Sequence, residues 1–106
     1  MVLENKHCVP CGGGTPTLTH DAIEKLKQEA PDWIVVDDKK IVHEFKFKNF
    51  LQAMEFVNKI VPIAEAEGHH PDIYIFYNLV RLELSTHAAN GLTENDFIMA
   101  AKLDGL

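Results

Sequence analysis

The chain has no apolar run near the roughly 20 residues that a membrane-spanning helix needs. It has two cysteines in 106 residues, both in one C-x-x-C, Cys8 and Cys11. That excludes a disulfide framework. Basic charge is short as well: ten Lys and Arg stand against sixteen Asp and Glu, for a net charge of −6. A general grip on nucleic-acid phosphates needs clustered cations, so none is expected. The small cluster Lys39, Lys40, Lys46 and Lys48 is diluted by Asp37, Asp38 and Glu44. The N-terminus, MVLENKHCVPCGGGTPTLT, lacks the apolar centre of a signal peptide, so a cytoplasmic protein is the expectation. What remains is 46% apolar and 25% charged, enough for one compact domain with a modest core.

Residues 1–17 carry CGGG, two prolines and no periodicity, and read as a flexible N-terminal arm. Residues 18–106 then read as a single domain. Thr19 is placed to cap a first helix, with Leu18 and Ile23 as its hydrophobic staple and Pro31 as its stop. Trp33–Val36 reads as a strand, Asp37–Lys40 as a turn, and 41–47 as a second strand with period-two alternation. A long amphipathic helix is expected over about 49–67, with Pro62 inside it and Gly68 and Pro71 ending it. Residues 72–87 read as a hairpin turning at Asn78-Leu79. The last helix starts at Thr93, with a capping box to Asp96 and a staple from Leu92 to Phe97. The order is α-β-β-α-β-β-α. The expected fold is α+β, a single four-stranded antiparallel sheet with helices packed on one face.

The stretch GHHPDIYIFYNLVRLELSTH, residues 68–87, carries three histidines. With the turn at Asn78-Leu79, Tyr77 pairs with Val80, Ile75 with Leu82 and Ile73 with Leu84, all on the core face. His70 then faces His87, with His69 at the preceding junction. Such a cluster has three readings. It can be a set of polar side chains at a sheet end. It can do acid–base chemistry, since imidazole gives and takes protons near neutral pH. It can bind metal, although the H-E-x-x-H spacing that would favour this is absent. Glu65, four residues before His69, is placed either to orient that imidazole or to be a solvated charge. Asp96 reads first as a helix cap that positions the loop after His87. Cys8 and Cys11 read as unpaired thiols, or as half a zinc site with His7 or His20. His43 reads as a satisfied core or edge histidine and Trp33 as core.

Glu65-x-x-x-His69-His70-Pro71, Tyr77, Ser85-Thr86-His87 and Gly91-Leu92-Thr93-x-x-Asp96 together resemble the signature of pterin-4a-carbinolamine dehydratases. The resemblance runs from about residue 15 to 105 and includes Trp33 and Phe45-Lys-Phe-Lys-Asn-Phe50. It implies removal of water from 4a-hydroxytetrahydrobiopterin, a product of aromatic amino acid hydroxylases, to give a quinonoid dihydropterin for recycling. It implies no metal or organic cofactor. Acid–base roles fall on His69 and His87, and pterin binding on His70, with Glu65 and Asp96 beside it. A homodimer or homotetramer is expected. Some relatives act instead as dimerisation cofactors of a transcription factor or as assembly chaperones, which leaves a non-catalytic binding module as the alternative. The chain departs from the pattern at Asn95, where a basic residue is common, and at Ile73, where an aromatic is common.

Overall fold

The computed structural model describes residues 3–9 and 16–106. Helix α1 spans His20–Lys27, and Thr19 caps it by accepting the Ala22 N–H at 3.2 Å. Strands β1 (Ile34–Val36) and β2 (Lys40–Lys46) form an antiparallel pair joined through Asp37 and Asp38, both at positive φ. Helix α2 spans Phe50–Glu67. Asn49 caps its start, and Gly68, left-handed at φ 62°, ends it. Strands β3 (Asp72–Phe76) and β4 (Leu79–Leu84) follow, then α3 (Glu94–Asp104). The sheet is antiparallel throughout, in the order β1-β2-β4-β3. All of this matches the expected α+β class and element order.

The core lies between the helices and the two central strands. Ile41, Val80, Leu82 and Leu84 from β2 and β4 are fully buried, with Ile23, Trp33, Ala53, Ile60, Phe97 and Leu103 from the helical side. The expected staple residues Leu92 and Phe97 are both fully buried. Trp33 is core, as its sequence position suggests, and its indole N–H donates to Asp104 Oδ1 at 3.0 Å.

Three expectations need correction. The β3–β4 turn is Tyr77-Asn78, not Asn78-Leu79, so Phe76 pairs with Leu79, Ile75 with Val80 and Ile73 with Leu82. Leu79 is kept as a ladder residue, paired also to Lys46 on β2, and the exposed Tyr77 takes the positive φ instead. The slip moves the ladder by two residues, so every side chain keeps its face. It does remove the pairing of His70 with His87. Second, the core-face residues of β3 are not buried: Ile73 and Ile75 are 37% and 38% exposed. β3 is an edge strand, while α2 and α3 pack over β4. Third, His43 is not satisfied: its buried Nδ1 has no hydrogen-bond partner and sits 3.6 Å from Asp104 Oδ1, while its ring lies against Trp33 and Phe45.

Candidate active site

The three histidines come together by another route than a shared ladder. β4 ends at Leu84, and the chain continues into a short 3-10 turn, His87–Ala89. Thr86 and Gly91 close that loop by bridging to each other, at 2.8 Å from Thr86 N–H to Gly91 C=O. Asn90 turns the loop at φ 57°. His87 is thereby held at the loop's start, exposed to solvent. His69 and His70 follow the Gly68 cap of α2. All three imidazoles line one cavity of about 410 Å³, together with Gly68, Ser85, Thr86 and Ala88. That volume lies in the range of small-molecule sites.

The carboxylate partner expected for His69 is not the one it has. Glu65 does not meet His69; its Oε2 lies 2.5 Å from His70 Nε2. The rule that residues four apart share a helix face holds only within the helix. Gly68 breaks that periodicity, so His69 points elsewhere. His69 Nε2 instead meets Asp96 Oδ1 at 2.6 Å. Asp96 is fully buried, and it is more than a cap. Its Oδ2 accepts the Thr93 N–H at 3.0 Å, which is half of the capping box, and the Thr86 hydroxyl at 2.9 Å. Since Thr86 gives its one proton to Asp96, the 2.8 Å contact between Thr86 Oγ1 and Thr93 Oγ1 is a bond donated by Thr93. One carboxylate therefore fixes the His69 ring, the start of α3 and the residue before His87.

The chemistry of the pair follows from its geometry. A carboxylate at Nε2 requires that nitrogen to carry hydrogen, so the His69 lone pair is on Nδ1. Because Asp96 is buried and the His69 side chain is only 12% exposed, the contact acts in a medium of low dielectric. The His70–Glu65 pair is different: both side chains are more than half exposed and solvent screens them.

The arm expected to hang loosely is tied down over its described part. Leu3 is buried in the core, and its N–H donates to Glu29 Oε1 at 3.2 Å. Cys8 and Val9 line the same cavity as the histidines. Cys8 N–H donates to Glu67 Oε1 at 2.7 Å, and the His7 ring meets Glu67 Oε2 at 2.9 Å. Burial alone would raise the Glu67 carboxyl. The Cys8 and His7 hydrogen bonds and the Lys102 charge outweigh it and hold the group below the usual carboxylate range. Burial, reinforced by the Glu67 charge, pushes the Cys8 thiol up to about 12. Cys11 lies outside the described residues. Among the described residues, no three His, Cys, Asp or Glu side chains are arranged to hold a metal, and no helix is long and apolar enough to cross a membrane.

Sequence reasoning missed Glu67 and gave Thr86 no role. Glu67 had a signal: a carboxylate in the last turn of a helix opposes the macrodipole and calls for compensating partners. Thr86 stood only within the Ser85-Thr86-His87 motif, and its bond to Asp96 was hidden because it depends on where α3 returns.

Comparison with known proteins places the chain in context. Residues 16–106 match the family model described as pterin 4 alpha carbinolamine dehydratase. A protein of Methylococcus capsulatus, provisionally named pterin-4-alpha-carbinolamine dehydratase, is 50% identical over 98% of this chain and 92% of its own length. A Halorhodospira halophila protein of the same provisional name is 43% identical over 100% of this chain and 98% of its own. Among solved structures, a Brucella melitensis protein described as a transcriptional coactivator/pterin dehydratase superposes with a TM-score of 0.78 at 36% identity, covering 84% of this chain and 96% of that one. A pterin dehydratase-like RuBisCO assembly factor of the alpha-carboxysome shares the fold alone, with a TM-score of 0.59 at 21% identity over 70% of this chain and 87% of that one.

Proposed function

We propose, from the premise that this chain belongs to the pterin 4 alpha carbinolamine dehydratase family, that it removes water from 4a-hydroxytetrahydropterins by histidine acid–base catalysis. The observation that carries this reading is the cavity lined by His69, His70 and His87, in which the buried Asp96 fixes His69. The reaction breaks the bond from C4a to its hydroxyl and the N5–H bond, and makes a C4a=N5 double bond and water. His69 Nδ1 takes the N5 proton, and Asp96 stabilises the imidazolium that results. His87, open to solvent, supplies the proton with which the hydroxyl leaves, so protons balance over one turnover. His70, braced by Glu65, orients the flat heterocycle. The product is a quinonoid dihydropterin, and the biological setting is the recycling of tetrahydrobiopterin after aromatic amino acid hydroxylation.

The test is dehydration of synthetic 4a-hydroxytetrahydropterin, followed by ultraviolet absorbance against its spontaneous loss of water, with chelator present. Wild type should accelerate it. His69→Ala and His87→Ala should each lose about 10²–10⁴-fold of that acceleration, the usual worth of a positioned acid or base. A folded wild type that gives no acceleration overturns the reading.

A homo-oligomer formed through β3 accompanies this proposal. The strand is an unpaired edge whose Ile73, Tyr74, Ile75 and Phe76 are all exposed. An edge of that kind invites pairing with a second copy.

A further inference from the structure

The proposed reaction leaves the N-terminal segment without a task, although Cys8 and Val9 line the histidine cavity. The segment precedes residue 16, where the family match begins. Its seat is built from several sides. Leu3 anchors it in the core, and Lys6 Nζ pairs with Glu94 at 3.0 Å. The Glu67 carboxylate takes the Cys8 N–H and the His7 ring. At the far end, the Asn95 side chain grips the Val9 backbone twice. Val9 N–H donates to Asn95 Oδ1 at 3.0 Å, and Asn95 Nδ2 donates to Val9 C=O at 2.7 Å.

That double grip is the pattern a neighbouring β-strand would offer. A carboxamide can make it, because one end accepts and the other donates. A Lys or Arg at this position could donate to the carbonyl but could not accept the N–H. Asn95 is 4% exposed and is followed directly by Asp96, so the wall and the His69 anchor share one turn of α3.

We propose that the Cys8–Val9 segment, clamped by Asn95, is a wall of the substrate pocket, and that Asn95 is the positioning residue that sets pterin affinity by holding it. The proposal takes the identity of the substrate from the dehydratase reading. The wall is chemically quiet: Val9 is aliphatic, and Cys8, raised by burial and by the Glu67 charge, stays a neutral thiol at any physiological pH. It therefore offers a flat heterocycle an uncharged side and takes no part in proton transfer. Because the segment is held before substrate arrives, binding does not have to order it.

The test uses the full chain as wild type, Asn95→Ala and Val9→Gly. The second variant trims an exposed side chain and leaves the Asn95 grip in place, so it stays informative if Asn95→Ala folds poorly. Both should raise KM for 4a-hydroxytetrahydropterin about tenfold, the scale of losing part of the valine surface that a bound pterin would cover. Both should leave kcat within about threefold, as expected when binding rather than chemistry is touched. Iodoacetamide labelling of Cys8, resolved by peptide mass spectrometry, gives a readout independent of turnover. Asn95→Ala should speed it at least about tenfold, since a released thiol returns toward its ordinary pKa. A 7,8-dihydropterin, which has no 4a-hydroxyl to lose, should slow labelling of the wild type. Unchanged KM in folded variants, or no protection of Cys8, overturns the wall. A wild type without turnover counts against the dehydratase reading instead, and Cys8 protection then decides the wall by itself.

Discussion

Asp96→Asn is the substitution that tests the site most directly. The carboxylate accepts three hydrogen bonds with no exposure to water: His69 Nε2–H at 2.6 Å, the Thr86 hydroxyl at 2.9 Å and Thr93 N–H at 3.0 Å. A carboxamide has one accepting end, so it cannot serve both His69 Nε2–H and Thr93 N–H. Two donors, Thr86 and Thr93, share Oδ2, while His69 alone uses Oδ1. The amide oxygen should therefore stay with the threonines and turn its NH₂ toward His69. The imidazole can then remain bonded only by moving its proton to Nδ1, the nitrogen assigned to catalysis. Bonds to a charged group are worth about 1.5–3 kcal/mol each. Losing that charge on one of three should cost about 2–3 kcal/mol of stability. At about 2.1 cal/mol/K per residue, the melting temperature should fall by about 9–13 °C. Turnover should fall by about 10²–10⁴-fold with His69 still in place. The assay pairs calorimetry with pterin dehydration, beside His69→Ala. A folded Asp96→Asn protein that melts lower yet keeps wild-type kcat would refute the tautomer argument. One that keeps both would refute the structural reasoning as a whole.

The remaining predictions concern the far side of the core and the sheet edge. Burial raises the Asp104 carboxyl above its ordinary value despite the Trp33 hydrogen bond and the nearby His43. The folded state then binds a proton more tightly than the unfolded chain, so this group's contribution rises as pH falls through the window between the ordinary carboxylate value and the raised one. Asp104→Asn keeps an acceptor for Trp33 and should raise the melting temperature at pH 7, with the difference from wild type shrinking in scans through that window. Asp104→Ala leaves the buried indole N–H without an acceptor and should lower the melting temperature by about 5–13 °C, the equivalent of about 1–3 kcal/mol. Ile75→Lys places a charge on the exposed β3 edge and should shift sedimentation toward the mass of a single chain, whereas a wild type that sediments as a monomer at all concentrations would remove the pairing proposal.

What could be read from sequence was local. Thr19, Gly68 and the Thr93–Asp96 box mark helix ends through backbone chemistry that neighbours in the chain decide, and each stands at the end it signals, although α1 ends at Lys27, ahead of the Pro31 expected to stop it. The two-residue alternation of 41–47 sets the faces of β2 for the same reason. The β3–β4 register was not legible, because it depended on which of Tyr77 and Leu79 would accept a positive φ. Leu79 has two ladder partners in the sheet, Phe76 and Lys46, and neither is visible from its neighbours in sequence. The exposure of Ile73 and Ile75 was hidden too, since alternation reports a face but not whether a helix covers it. The histidines were gathered for a reason other than the one their spacing suggested. A bridge from Thr86 to Gly91 and a carboxylate ten residues beyond Thr86 do what the ladder was expected to do.

The two histidine–carboxylate pairs show how burial, rather than distance, sorts the roles. His70–Glu65 is the shorter contact, at 2.5 Å against 2.6 Å for His69–Asp96. Judged by length alone, Glu65 would be the stronger partner. Yet Glu65 and His70 are both open to solvent, where an ion pair is worth at most about 1 kcal/mol and weakens with salt. Such a brace can bias a ring toward substrate but cannot hold a tautomer against exchange with water. Asp96 has no water with which to trade its bonds, so its hold on His69 Nε2 is kept as long as the domain is folded. The same burial makes Asp96 costly to leave unpaired, and this ties the start of α3 to the state of the His69 ring. A residue that reads in sequence as a helix cap is thereby the one that fixes which nitrogen of His69 is free to take a proton.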